Sequence, residues 1–245
     1  MVYTVYMAIQ KTKEEKTKND FVAVDMHQLR NYLTRNKWLL DSLTDESNDK
    51  IVAVPHELLS EMEVNNNEAI NLVSDVLRVD EEDSDVFKPF PVKVDLLDII
   101  QKDISNMTVN ANRKNILIEF THPGELLPVI IHPEKISYVF ENLLANAIRY
   151  TPKKGKIFVH VTHANDEIVV SFKDTGIGIP PLEQANIFRK YFRATNARKM
   201  ESQGSGLGLY IVKRIVEEHD GRIWFESDEN MGTTFWIALP VSKMI

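Results

Sequence analysis

The clearest regularity in the chain is an apolar stripe that advances in alternating steps of four and three: Val22, Met26, Leu29, Leu33, Asn36, Leu40 and Leu43. That spacing keeps one side of an α-helix turned toward a partner. Charged residues flank it (Lys18, Asp20, Arg30, Arg35, Lys37), so a second helix is needed to cover the stripe. A second series, Leu59, Met62, Asn66, Ala69, Val73 and Val76, follows a turn-forming stretch between Thr44 and Pro55. The pattern predicts a long helical hairpin. Two helices bury little area by themselves, so a homodimeric four-helix bundle is the expected completion. Asn36 and Asn66 lie at similar distances from the turn. Unless they rotate to water, they form a polar layer of the kind that fixes register at some cost in stability.

An acidic run (Asp80, Glu81, Glu82, Asp83, Asp85) and then Pro89 and Pro91 read as a solvated linker. The predicted domains are therefore 1–80, a helical hairpin, and 87–245. In the second, helical periodicity at 94–107, 135–150 and 207–219 is interspersed with strand periodicity at 116–120, 129–131, 157–162, 168–173, 222–227 and 234–239. This order predicts an α+β sandwich, one sheet covered by helices on one face. Helix 135–150 should bury Ile136, Val139, Phe140, Leu143, Leu144 and Ala147.

Composition narrows the function. Hydrophobic residues make up 43% and charged residues 27%, which is globular rather than disordered. No apolar run is long enough to span a bilayer, and no signal peptide is recognised. The apolar start, Val2 to Ile9, reads as a continuing coiled coil or the stub of a membrane helix. The expectation is a cytoplasmic protein, tied to a membrane only if an upstream segment is missing. There is no cysteine, so disulfides and thiolate metal sites are ruled out. A net charge of −7 disfavours nucleic acid as a partner.

Four segments of the second domain carry chemistry suited to a nucleotide. Asn142, Asn146 and Arg149 share one helix face; amide oxygens suit magnesium, and arginine suits phosphate. Asp174, with Gly176 and Gly178 after it, ends a strand. Its carboxylate can accept from an exocyclic amine while the glycines let the backbone approach a flat ring. Gly204, Gly206 and Gly208, with Leu207 between the last two, lead into a helix whose N-terminal amides suit phosphate. A basic island between these motifs, Arg189, Lys190, Arg193, Arg198 and Lys199, would neutralise a triphosphate under a lid. Each has a plain structural alternative as surface helix, turn or solvated loop. The ordered set of four is specific.

Taken together, residues 87–240 resemble the ATP-binding domain of sensor histidine kinases, within the GHKL ATPase superfamily. Asn142 to Asn146 resembles the N box, Asp174 to Gly178 the first glycine box, Phe188 to Arg193 the F box and Gly204 to Gly208 the second glycine box. Gly232-Thr233-Thr234-Phe235 resembles the closing glycine–threonine turn. Upstream, the segment from Phe21 to Thr34 resembles the family's phospho-acceptor motif. The resemblance implies ATP and Mg2+ as cofactors, with Asn142 on the metal, Asn146 and Arg149 at the phosphates, Tyr150 by the base and Asp174 on the adenine amine. Gly176, Gly178, Arg193, Gly204, Gly206, Leu207, Gly208 and Thr234 complete the implied nucleotide site. It further implies autophosphorylation of His27 and transfer to an aspartate of a response-regulator receiver domain. His27 follows seam residue Met26, which by itself turns it about 100° from the seam.

One departure from the family and one position that matches it shape the expectation. Gln28 stands where an acidic residue usually follows the histidine, and an amide is no base at neutral pH. Asn31, one turn on, stands where the family orients water to dephosphorylate its partner. Catalytic roles are therefore expected for His27, Gln28 and Asn31, with a phosphatase-biased enzyme as a variant. A non-catalytic ATP-binding scaffold and a GHKL-type ATPase remain alternatives. The ATPase is disfavoured because Asn142 stands where that class places a water-activating glutamate.

Overall fold

The structure, a computed structural model, describes residues 29–30, 33–40, 55–80, 90–124, 126–164, 166–201 and 204–241. His27, Gln28 and Asn31 lie outside the described residues, as do the turn at 44–54 and the acidic run at 81–85. The chain divides into two compact units, Met1–Ser84 and Asp85–Ile245.

In the first unit, residues 33–40 are helical and helix α1 spans His56–Asp80. Leu29 packs on Ala69 and Leu72, and Leu39 is also buried. The seam on α1 differs from the one predicted. Asn65, Ala69 and Leu72 are buried, whereas Asn66 is exposed. The two stripes are adjacent ridges of one helix that share Ala69. The second ridge faces outward: Leu59 and Val73 are exposed, as are Leu33 and Leu40 on the first helix. Within the hairpin, Asn36 Oδ1 and Asn65 Nδ2 are buried without hydrogen-bond partners, each at a cost of roughly 1–3 kcal/mol.

The second unit is built on a five-stranded sheet in the order β2-β4-β5-β7-β6. Its strands are β2 Leu117–Thr121, β4 Lys156–Ala164, β5 Glu167–Asp174, β6 Arg222–Asp228 and β7 Gly232–Pro240. β2 runs parallel to β4, and the other pairings are antiparallel. A small ribbon pairs β1, Val92–Val94, with β3, Val129–Ile131. The predicted helix at 94–107 starts later than its periodicity suggested. Val94 is in β1, and Asp95 caps α2 (Leu96–Arg113) by accepting from the Leu97 amide at 2.9 Å.

Strand alternation divides the sheet into two faces. Ile168, Val170 and Phe172 of β5 are buried together with Ile157, Val159 and Val161 of β4 and Phe235, Ile237 and Leu239 of β7. Helix α3 (Pro133–Tyr150) buries all six apolar residues expected of it, and Phe140 meets Phe172 at 5.8 Å between ring centroids. Helix α5 (Gly208–Glu218) adds Ile211, Val212, Ile215 and Val216. On the opposite face, Trp224 and Trp236 stack with centroids 5.9 Å apart and planes 6° from parallel. Asp174 ends β5 on the face with Phe172, at the rim of the core.

Candidate nucleotide-binding site

Asp174 is 7% exposed. Its Oδ1 accepts from the Gly176 amide at 2.8 Å and the Thr233 amide at 3.2 Å, so Oδ2 takes neither donor. Burial pushes its pKa up to about 6, against the pull of those two amides, and the group is still largely ionised at neutral pH. The surrounding glycines are required by contact. A Cβ on Gly176 would lie 2.6 Å from Asp174 Oδ1 and 2.6 Å from the Tyr150 carbonyl. Gly178 has φ +62°, and a Cβ there would strike the Asp228 carbonyl. The Ile177 amide donates to the Tyr150 carbonyl at 3.1 Å, joining the first glycine turn to the end of α3.

On α3, Asn146 donates through Nδ2 to Asn142 Oδ1 at 3.1 Å, and both residues are half-buried. The N-terminus of α5 arrives at the same place, since a Cβ on Gly208 would collide with the Asn142 amide. Gly204 passes beside two guanidinium groups: its Cβ position lies 3.2 Å from Arg149 Nη1 and 3.3 Å from Arg193 Cζ. Gly206, at φ +70°, leaves room for the backbone of Tyr191 and Phe192. The N box, both glycine boxes and Arg193 are thus brought into one neighbourhood.

The segment between the glycine motifs is tied down at several points. Phe188 sets its ring edge-on to Phe225 at 5.9 Å. Asn196, in the short helix α4 (Thr195–Met200), donates to the Gly178 carbonyl at 2.9 Å. Arg193 donates to the carbonyls of Gly204 and Glu201, and Lys190 lies 4.6 Å over the Tyr210 ring. Arg189, Arg198 and Lys199 are exposed.

Two expected residues occupy different roles in the structure. Leu207 is fully buried, so only its backbone can face a ligand. Thr233, rather than Thr234, reaches Asp174. Thr234 pairs with Lys173 and Glu226 on the sheet's other face, because neighbouring strand residues point to opposite sides. The residues that sequence reading missed are Thr233, its hydroxyl partner Ser227 at 2.8 Å, and Asn196. Of the two adjacent threonines, Thr233 is buried and Thr234 half-buried.

Among the described residues no group of three or more His, Asp or Glu could hold a metal ion. The donor set fits magnesium bound mainly through a nucleotide. One amide oxygen, on Asn142, has lone-pair capacity beyond its bond to Asn146, and Mg2+ takes its other ligands from phosphates and water.

Residues 131–243 match the family of histidine kinase-, DNA gyrase B- and HSP90-like ATPases. Sensor protein kinase WalK of Staphylococcus haemolyticus is 32% identical over 97% of the chain, which spans 40% of that protein's length. The catalytic domain of histidine kinase ThkA, nucleotide-free, is 31% identical, with 97% of its length and 63% of this chain covered at TM-score 0.55. ThkA in complex with response regulator protein TrrA shares the fold over 97% of this chain and 66% of that one, at 24% identity and TM-score 0.69. With the N box, both glycine boxes and Asp174 brought into one neighbourhood, the chain belongs to the sensor histidine kinases.

Proposed function

We propose that the chain is a kinase core that binds magnesium-ATP, phosphorylates His27 and passes the phosphoryl group to an aspartate of a response-regulator receiver domain. The observation that carries the reading is the meeting of Asp174, Asn142, Asn146, Arg149 and the second glycine loop, which arrive from three separate stretches of sequence. Asp174 accepts from the adenine amine through the oxygen that its own backbone leaves open. Asn142 offers its amide oxygen to magnesium, and Arg149 and Arg193 face the phosphates beside Gly204. A His27 ring nitrogen attacks the γ-phosphorus, the bond to the ADP oxygen breaks, and the proton on the attacked imidazole leaves to solvent or a neighbouring base. Gln28 is not that base. This favours a second reading within the same fold, a phosphatase-biased enzyme in which Asn31 orients water on the receiver's phosphoaspartate.

The outward stripe of Leu33, Leu40, Leu59 and Val73 supports a homodimer whose second copy covers it. No helix among the described residues is long and apolar enough to cross a membrane.

Incubation with labelled ATP, followed by acid and base treatment, tests the assignment. Phosphohistidine is lost in acid and survives base. The parent should acquire such label, His27→Ala should acquire none, and Gln28→Glu should gain on the order of 100-fold if base assistance is what is missing. Equal labelling of the parent and His27→Ala removes His27 from the mechanism. A parent that takes no label yet strips phosphate from a receiver, in a reaction slowed by Asn31→Ala, establishes the phosphatase reading instead.

A further inference from the structure

We infer that Lys114 is a positioning residue of the nucleotide site: its ammonium group fixes the last turn of α3 and with it the aim of Arg149. The last four carbonyls of a helix have no partner within it. In α3 all four are accounted for. The Ala147 carbonyl accepts from the Thr151 amide at 3.1 Å and the Tyr150 carbonyl from the Ile177 amide at 3.1 Å. The two between them, on Ile148 and Arg149, both accept from Lys114 Nζ, at 2.9 and 2.8 Å.

Lys114 reaches this point from the end of α2. Its own amide donates to the Ala111 carbonyl at 3.0 Å, and its carbonyl accepts from the Lys154 amide at 3.1 Å. The side chain is half-buried and its backbone is held on both sides, so the ammonium has little freedom to follow a wandering helix end. A cation is favoured there by the helix dipole and makes charge-assisted bonds to the carbonyls.

The position bears on function because the clamped residue is Arg149 itself. Its guanidinium lies beside Gly204, and the next carbonyl, that of Tyr150, holds the first glycine turn. Burial lowers the pKa of Lys114, the nearby Arg149 charge lowers it further, and Glu201 opposes both. The two carbonyl bonds offset the burial and the like charge, and the same bonds hold the last turn of α3 in place.

The inference rests on the reading of Arg149 as a phosphate ligand, and a double-mutant cycle separates the two. Affinity of the full chain for magnesium-ATP is measured by calorimetry for the parent, Lys114→Met, Arg149→Ala and the double variant. Lys114→Met should weaken binding about tenfold, the scale of one charge-assisted hydrogen bond. In the Arg149→Ala background the same change should cost less than about twofold, because the group being aimed is gone. The chain has no native cysteine, so Lys114→Cys can be aminoethylated at that one position, which restores an ammonium of nearly lysine length. Binding should then return to the parent value. If Lys114→Met does not fold, Lys114→Gln takes its place in the cycle. Parent affinity in the Lys114 variant, equal losses in both backgrounds, or failure of aminoethylation to restore binding would each overturn the positioning role. Parent affinity in Arg149→Ala overturns the phosphate reading on which it rests.

Discussion

Two buried carboxyls, Asp103 and Asp174, are both pushed up to about 6 by desolvation, and they differ in what opposes it. Asp103 has one hydroxyl donor, Ser137 at 2.8 Å, and a buried Oδ2 with no partner. Asp174 has two amides on one oxygen, and neither reaches the other. An ionised Asp174 costs stability above pH ~6, and that cost is relieved as pH falls toward its ordinary value of 3.8. On the proposed reading ligand binding runs the opposite way, because an adenine amine would need the ionised acceptor. Affinity for magnesium-ATP should therefore fall as pH drops through about 6, while Asp174→Asn should bind at least tenfold more weakly at pH 7.5, in line with roughly 1–3 kcal/mol for a mismatched buried polar pair. Titrating both proteins by calorimetry between pH 7.5 and 5.5 checks this. An equal pH slope in the two would assign the titration to another group.

At the scale of elements, the site depends on how two helices meet. α3 and α5 run antiparallel, joined at one end by Gly208 against Asn142 and at the other by His219, whose Nε2 accepts from the His132 amide at 3.0 Å. The His219 Nδ1 lies 2.7 Å from the Ile215 carbonyl, which fixes the neutral tautomer with the proton on Nδ1. Gly208→Ala would drive a methyl into the Asn142 amide. It should cut ATP affinity about tenfold or more while lowering the thermal midpoint only by the few degrees that ~1 kcal/mol represents. Unchanged affinity would mean that Asn142 can move aside without loss. The periodicity of α3 and α5 made these helices readable from sequence: all six apolar positions expected of α3 are buried, as are Ile211, Val212, Ile215 and Val216 of α5. Val92–Val94 was not readable, because Val94 also fits the helical series that follows it. Nor was the split between Thr233 and Thr234, since two adjacent threonines have the same chemistry until strand alternation sends one inward.

For the molecule as a whole, the heptad predicted a hairpin but not which ridge of α1 turns inward. Spacing of three and four is satisfied by Asn65-Ala69-Leu72 as well as by Asn66-Ala69-Val73. A helix with a neighbour in its own chain and another in a second copy needs both ridges. Glu in place of Leu33 and Leu40 puts charge on the outward ridge, where they are 56% and 48% exposed in the single chain. The double variant should be monomeric by light scattering at micromolar concentration while the parent is dimeric, since burying unpaired carboxylates at the seam is too costly. A monomeric parent would end the dimer proposal. The chain has three tryptophans, and they fall into two optical classes. Trp38 is 76% exposed on the hairpin, and collisional quenchers should reach it freely. The other two lie nearly parallel across β6 and β7, close enough for their transitions to couple and give a split band in far-ultraviolet dichroism. Quenching thus reports on the hairpin, and the split band on the sheet that carries Asp174. Without any label, a single melt followed by both signals shows whether the two units unfold together or in turn.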